Sequence, residues 1–506
     1  MTRTRRREKP VKEISPVVNG GLQGGQYKPL SDEQMELIVS SAKKVLWRTG
    51  VEIMESNCRT FLEGQGCRVD TEKNRVYFPE ELIDKALSTM APTVLLAGRE
   101  EKHDLVLGGA NVYMGTGGAA VNMLDLDGKI RNTTLQDNYN IGRLCDKLDN
   151  IHFYMRPVTP RDVGNDVIDI NSAYACLSAT KKHVMSNIYE PSSAKDIRKL
   201  GELLVGGKEE FDKRPPVSLT ACWTVSPLRY AMETVEVLDA IIEQDIPVVI
   251  STAPQAGATS PAALAGSLVQ IIAEQLSGIV YVNLMKPGYP LIMGCVPAQA
   301  DLRTGAFTGG SGEFSLLHAC CAQLSQYLKI PIYNSSGISD SKEPDAQAGM
   351  EKGITGVTAA LAGSNYIHHS AGFLESLLTV AFEQYVIDND INGEIMRILK
   401  GIDFSEESLS LDVIDEVCNG IGHYLGHPQT IALMNTEYLY PEVMDRSSRE
   451  DWNEAGKKDV RQRAKEYATS ILESHFPKVI PDEIDAEIRK QFNIVLDKEK
   501  MEKFNV

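Results

Sequence analysis

The sequence predicts an α/β protein built on a (β/α)8 barrel, with helical extensions at both ends. Three observations lead there. Eight short apolar runs recur through the middle of the chain, a helix-like stretch follows each one, and several runs end in polar or aromatic residues. The runs lie at 111–121, 151–156, 183–189, 217–223, 248–252, 291–295, 332–336 and 366–370. In a barrel of this kind the chemistry sits at the carboxyl ends of the strands, so the run ends form a short list of candidates.

Taken in order, residues 1–27 are polar and contain Gly and Pro, as expected of a flexible arm. Its basic start, Arg3 to Lys9, has no apolar stretch behind it and is not a signal peptide. Residues 28–110 hold helices and hairpins. Ser31-Asp-Glu-Gln supplies a helix cap with early acidic residues, opening a helix that runs to Thr49. Two short β-like runs follow within 66–78, and Pro79 starts another helix. Runs at 94–96 and 104–107 flank Gly98-Arg-Glu-Glu-Lys-His, which predicts a hairpin over the barrel floor. The barrel occupies 111–390. Helical periodicity is clear at 228–244, where Met232, Val235, Leu238, Ile241 and Ile242 share a face. The unit between Val248 and Leu291 is ambiguous, because 279–284 competes as a strand. Residues 391–506 read as a charged helical extension, with helices at 449–471 and 482–492.

Bulk properties narrow the function classes. A bare barrel needs about 250 residues, so about half of the 506-residue chain lies outside it. A net charge of −17 argues against nucleic acid or an anionic membrane surface as the main partner. No run of about 18 apolar residues marks a membrane span. The nine cysteines are scattered, odd in number and without a CxxC, which predicts reduced thiols in a cytoplasmic protein. Cys320 and Cys321 are adjacent in a helix and face different directions, so no metal clamp is expected of them. An even-numbered homo-oligomer is the common default.

The run ends offer Tyr113 with Gly115-Thr-Gly-Gly118, Arg156, Asn187 and Tyr189, Trp223, Ser251 and Thr252, Cys295, Asn334 to Ser336, and His368 with His369. Tyr113, Tyr189 and Trp223 at a barrel mouth would suit a cation, above all a quaternary ammonium. Trp223 reads equally as core. Arg156 reads either as a salt bridge to a barrel helix or as a bidentate clamp for a carboxylate. Asn187, Ser251 and Asn334 complete the candidate substrate contacts. Gly309-Gly-Ser-Gly-Glu313 precedes a helix whose start can hold an anion, and Glu313 suits the dipole there. His368-His369 is not read as a metal site, since neighbours in a strand face opposite ways and no HExxH, HxH or Cys cluster supports it. His369-Ser-Ala-Gly372 resembles the His-x-x-Gly of cobalamin-binding domains, but Ile367 replaces the acidic residue and no corrinoid is expected on that histidine. Lys182 precedes its strand, at the wrong end for a Schiff base; Lys342 stays open as one, though its surroundings are polar.

The stretch Ser339-Asp-Ser-Lys-Glu-Pro-Asp-Ala-Gln-Ala-Gly-Met-Glu-Lys352 resembles the trimethylamine methyltransferase (MttB) superfamily. So do Thr358-Ala-Ala-Leu-Ala-Gly-Ser-Asn365, His369-Ser-Ala-Gly-Phe-Leu-Glu-Ser376, Tyr438-Leu-Tyr-Pro-Glu-Val-Met-Asp-Arg446 with Trp452, and Thr49-Gly-Val-Glu. The resemblance runs from about residue 30 to 475. It implies methyl transfer from an amine to the Co(I) of a separate corrinoid protein, with no cofactor or metal bound on this chain. Founding members carry pyrrolysine; the matching region, 334–338, has only standard residues, with Gly337 set at the special position and Glu313 and His368 joining it as catalytic candidates. That implies a quaternary amine such as glycine betaine, proline betaine or carnitine. A lyase or aldolase using Lys342 and a non-catalytic betaine-binding protein remain as alternatives.

Overall fold

The computed structural model describes residues 16–504; the basic start from Arg3 to Lys9 falls outside them. Eight parallel strands form the barrel. They are β1 Asn111–Met114, β2 Tyr154–Met155, β3 Val184–Ser186, β4 Val217–Cys222, β5 Val248–Thr252, β6 Leu291–Cys295, β7 Ile332–Ser335 and β8 Tyr366–His368. Neighbours pair in register from β2 round to β8, and β8 pairs with β1. A parallel bridge from Gly115 to Phe153 closes the ring between β1 and β2. Each of the eight apolar runs contains one strand.

Eight helices alternate with them: α1 Leu135–Asp146, α2 Ile168–Ala179, α3 Ser193–Val205, α4 Met232–Glu243, α5 Leu264–Met285, α6 Gly312–Leu328, α7 Ala346–Leu361 and α8 Phe382–Lys400. The ambiguous stretch 279–284 is the last part of α5. Its β-branched and apolar residues suit either state locally. They are helical because α5 lies between the barrel and the amino-terminal helix Asp32–Arg48, which buries Met35, Ile38, Val39, Ala42 and Leu46. Among the described residues α5 is long and apolar enough to cross a membrane by composition, but 83% of that window is buried in the protein.

Other boundaries shift. The first predicted run, 111–121, ends early: β1 stops at Met114 and a separate strand begins at Asn122. The last barrel helix runs through residue 390 to Lys400. The described part of the predicted flexible arm is tied down. Leu22 and Gln23 pair antiparallel with β1, and the Gly24 N–H donates to the Ala110 carbonyl at 2.8 Å. The predicted helix over 449–471 is two helices, Arg449–Glu454 and Val460–Ser474, and the next spans Asp482–Gln491.

The floor is closed as expected by the hairpin Val94–Leu96 with Leu105–Leu107. Its Val94, Leu96, Leu105 and Leu107 form one apolar cluster with inward-facing barrel residues that include Phe153, Met185, Val249 and Ile292. Arg214 holds the hairpin from outside through a bidentate pair with Asp104, at 2.6 and 2.7 Å. At the opposite end, loops build two small sheets on the rim. One joins Phe373–Leu374, Thr379–Ala381, Asn122–Leu124 and Ile130–Asn132; the other joins Gln255–Ala256, Ala298–Ala300 and Phe307–Thr308. The floor is sealed and the rim is elaborated, so the carboxyl end is the end at which the barrel can carry chemistry.

Candidate active site

Alternation along each strand decides what enters the barrel. On β7 and β8, Tyr333, Ser335, Tyr366 and His368 face inward, while Asn334 and Ile367 face the helices. The inward aromatics form a column. Phe153 stacks on Tyr366 at 3.6 Å between centroids, Tyr366 lies 5.6 Å from Tyr333, and Tyr333 stacks on His368 at 3.7 Å. His368 caps the column at the mouth. It is buried, and neither ring nitrogen has a hydrogen-bond partner. Burial first, then the neighbouring His369 and His318, pushes its pKa well below the usual histidine value. The ring is therefore neutral at neutral pH and does not repel a cation.

His369 is held differently. Its Nε2 donates to the Gly118 carbonyl at 3.0 Å, and its Nδ1 accepts from the Ser335 hydroxyl at 2.9 Å. Burial lowers its pKa to about 4. It ties the β1 loop to the ends of β7 and β8.

Arg156 follows β2, one residue past inward-facing Met155, and is 2% exposed. It donates through Nη2 to the Tyr189 hydroxyl at 3.3 Å, and its guanidinium lies 5.6 Å from that ring's centroid. Its Nε and Nη1 are buried without a hydrogen-bond partner. A buried guanidinium with two unused donors calls for an anion. Burial alone would raise the Tyr189 phenol, but the Arg156 charge and hydrogen bonds outweigh it and the net shift is downward. Tyr189 is 50% exposed and Asn187 is half-buried. Ser251 and Cys222 are register neighbours on β5 and β4, with Oγ and Sγ 3.7 Å apart. Cys222 is exposed and was missed in the sequence; only its place two residues beyond inward-facing Thr220 gives it away.

Several candidates fall elsewhere. Trp223 is one residue past Cys222 and so faces outward. It is fully buried against Tyr230 and Tyr281, at 4.0 and 5.3 Å between centroids, and over Gly278 of α5. It is a core residue, not part of a cage. Tyr113 faces inward at the floor, where its hydroxyl accepts the Val106 N–H at 3.2 Å. Asn334 faces outward and donates to the His318 carbonyl and the Ser364 hydroxyl at 2.8 and 2.9 Å. Of the aromatics near the mouth, Tyr333 is stacked between Tyr366 and His368, and Tyr189 is the exposed ring.

Gly337 has φ +66°, and a Cβ there would lie 2.8 Å from both the His369 carbonyl oxygen and the Ser370 Cα. A side chain would require the backbone to move. The Gly337 carbonyl accepts from Lys352 Nζ at 2.6 Å, and Lys352 pairs with Asp388 at 3.0 Å, both buried. Burial lowers the Lys352 pKa and raises that of Asp388, and their mutual attraction opposes both shifts. Asp388 also accepts the Gly372 N–H at 2.6 Å. This pair, absent from the sequence-based candidates, joins the loops after β7 and β8 to α7 and α8.

Glu313 sits apart, on an acidic cavity of about 680 Å³ between the loops after β5, β6 and β7, shared with Asp301, Asp340 and Glu351. The Gly309 N–H already donates to Asp340 at 3.0 Å and the Phe314 N–H to Ser311. The cavity beside the start of α6 is thus lined by carboxylates, which disfavours the expected anion site. Neither lysine weighed as a Schiff base is free. Lys182 Nζ donates to the carbonyls of Cys145, Leu148 and Ile151, and Lys342 Nζ, on the surface, donates to the Asp340 carbonyl.

Comparison with known proteins matches this architecture. The family model described as trimethylamine methyltransferase (MTTB) matches residues 1–500. A trimethylamine methyltransferase MttB of Desulfitobacterium hafniense is 35% identical over 460 residues, covering 91% of this chain and 92% of that protein. A glycine betaine methyltransferase of the same species is 31% identical over 465 residues, covering 92% and 96%. A trimethylamine methyltransferase MttB of Methanosarcina barkeri is 34% identical over 484 residues, covering 94% and 96%. The Methanosarcina barkeri monomethylamine methyltransferase structure shares the fold, with TM-score 0.51 at 13% identity and 88% of each chain covered. With its closed eight-stranded barrel and a match along nearly its whole length, this chain belongs to the trimethylamine methyltransferase family.

Proposed function

We propose that this methyltransferase takes a methyl group from a carboxylated quaternary amine, a betaine, and delivers it to the Co(I) of a separate corrinoid protein docked at the barrel mouth. The single observation that carries the substrate assignment is Arg156: buried, with two unused donors, and 5.6 Å from the Tyr189 ring centroid. A betaine presents a carboxylate and a fixed cation a few bonds apart, which suits a buried guanidinium beside an exposed aromatic ring. The relatives' named substrates, trimethylamine and glycine betaine, are consistent with a small methylated amine. The quaternary choice rests on the standard residues at 334–338 and on the backbone packed around Gly337, which leaves no room for a long side chain there.

The chemistry asks little acid–base work of the chain. A quaternary nitrogen has no lone pair, and its methyl carbon is open to backside displacement. The partner's cobalt supplies the nucleophilic electron pair; the C–N pair stays on the departing neutral tertiary amine, so no proton is needed. Arg156 anchors the carboxylate, the Tyr189 ring beside it favours the cation, and the rigid barrel directs one methyl outward. His368 contributes by staying neutral.

The test is incubation with a panel of quaternary amines and reduced corrinoid, following methylation of the corrinoid optically. Turnover of betaines but not of trimethylamine supports the proposal. Tight betaine binding without methyl transfer would instead favour the binding-protein alternative.

A further inference from the structure

Half of Tyr189 is in solvent, so packing alone cannot hold its ring in place. A binding surface left free to rotate must be ordered each time a substrate arrives, which costs affinity. The backbone beneath the ring removes that cost. The loop after β3 runs Asn187-Ile-Tyr-Glu-Pro191, with Ile188 buried. Its far end is tied to the start of α3, where the Ser193 N–H donates to the Glu190 carbonyl at 3.0 Å and the Ala194 N–H to the Pro191 carbonyl at 3.2 Å. In the middle of the loop, the N–H groups of Tyr189 and Glu190 both donate to Asp169 Oδ2, at 2.9 and 3.1 Å. Asp169 is in the first turn of α2 and is 3% exposed. A carboxylate at that place ordinarily serves its own helix start. Here α2 begins after Val167 without a side-chain cap, and Asp169 accepts from the neighbouring loop instead. Its Oδ1 has no hydrogen-bond partner.

From this geometry we infer that Asp169 is a positioning residue for substrate binding: its grip on the backbone at 189 and 190 holds the Tyr189 ring beside Arg156, so that ring and guanidinium meet one substrate together. The inference rests on the betaine reading above. The ring's own bond to Arg156 Nη2 is 3.3 Å long, at the weak end for a hydrogen bond. Two N–H donors on one buried carboxylate oxygen make the stronger anchor, because a charged acceptor roughly doubles the strength of each bond. Without Asp169 both donors lose their acceptor, and the ring is free to leave the guanidinium. The loop uses a single oxygen, which an amide also supplies. Asp169→Asn therefore keeps the anchor and Asp169→Ala removes it.

The test uses the full chain labelled with fluorotyrosine, with the Tyr189 fluorine resonance assigned by its loss in Y189F. The Arg156 charge lowers the Tyr189 phenol. Release of the ring in D169A should therefore move its titration upward by about half a pH unit or more, and D169N should leave it in place. Kinetics with reduced corrinoid give the second reading, on the best-used betaine among glycine betaine, proline betaine and carnitine. KM should rise about 5- to 50-fold in both D169A and Y189L, with kcat little changed, and stay within about two-fold of wild type in D169N. The double variant D169A/Y189L should be no worse than Y189L. A third reading needs no substitution: in the wild type the amides of Tyr189 and Glu190 should be protected from hydrogen exchange. Free exchange there overturns the inference, as does an unmoved Tyr189 titration in D169A or a loss in D169N as deep as in D169A. A raised KM in Y189L but not in D169A overturns it while the betaine site stands. An unchanged KM in both takes Tyr189 out of the betaine site, and the inference falls with it.

Discussion

At the residue scale the central prediction concerns Arg156. Replacing it with Ala removes charge-assisted hydrogen bonds worth about 1.5–3 kcal/mol. KM for a betaine should rise about 10- to 100-fold, while turnover of tetramethylammonium, which has no carboxylate, should change little. Equal losses for both substrates would remove the clamp. Trp223 makes the opposite prediction. Its indole is packed in the barrel wall, so Trp223→Ala should lower stability by about 3–5 kcal/mol and leave the KM of the folded enzyme unaltered. A thermal melt read beside betaine kinetics separates the two effects. Gly337→Ala should cost about 1–2 kcal/mol for the left-handed backbone alone, and more as the added carbon meets the backbone at 369–370.

At the element scale, the Lys352–Asp388 pair cross-links α7 to α8 and, through the Gly337 carbonyl and the Gly372 N–H, fixes the loops after β7 and β8. Lys352→Met strands a buried carboxylate, which costs about 3–5 kcal/mol. Adding Asp388→Asn removes the stranded charge and should recover part of that loss in urea unfolding. A double variant as unstable as the single would show that the pair contributes nothing through its charges. The same scale shows why sequence patterns succeeded or failed. Strands and barrel helices announce themselves through runs and periodicity. The split of 111–121 into β1 and a rim strand does not, because rim pairing depends on partners at 379–381, far along the chain.

At the scale of the whole molecule, burial makes stability depend on pH. His152 and His318 have pKa values near 3, and His183 and His369 near 4, all lowered chiefly by burial. The unfolded chain takes up these protons near pH 6.5 while the folded chain does not. The stabilisation is thus fully present above pH 6.5 and is lost as pH falls from there towards 4, by up to about 1.4 kcal/mol per residue per pH unit. Melting temperature should fall steeply between pH 6.5 and 4.5; a flat profile would contradict the buried, neutral imidazoles.

Sequence alone was enough for the barrel, its eight units, the floor hairpin and the family, because these follow from local periodicity and from contiguous motifs. It also singled out Arg156 and His368 as strand-end residues, and the structure buries both. Only the tertiary structure decided which strand-end residues face inward. Side-chain direction reverses with every residue, so Cys222 enters the mouth while Trp223 packs in the wall. The structure likewise sent Tyr113 to the floor and Asn334 to the helices, and it joined Lys352 to Asp388. Those outcomes depend on register and on contacts between distant segments, which no local pattern encodes.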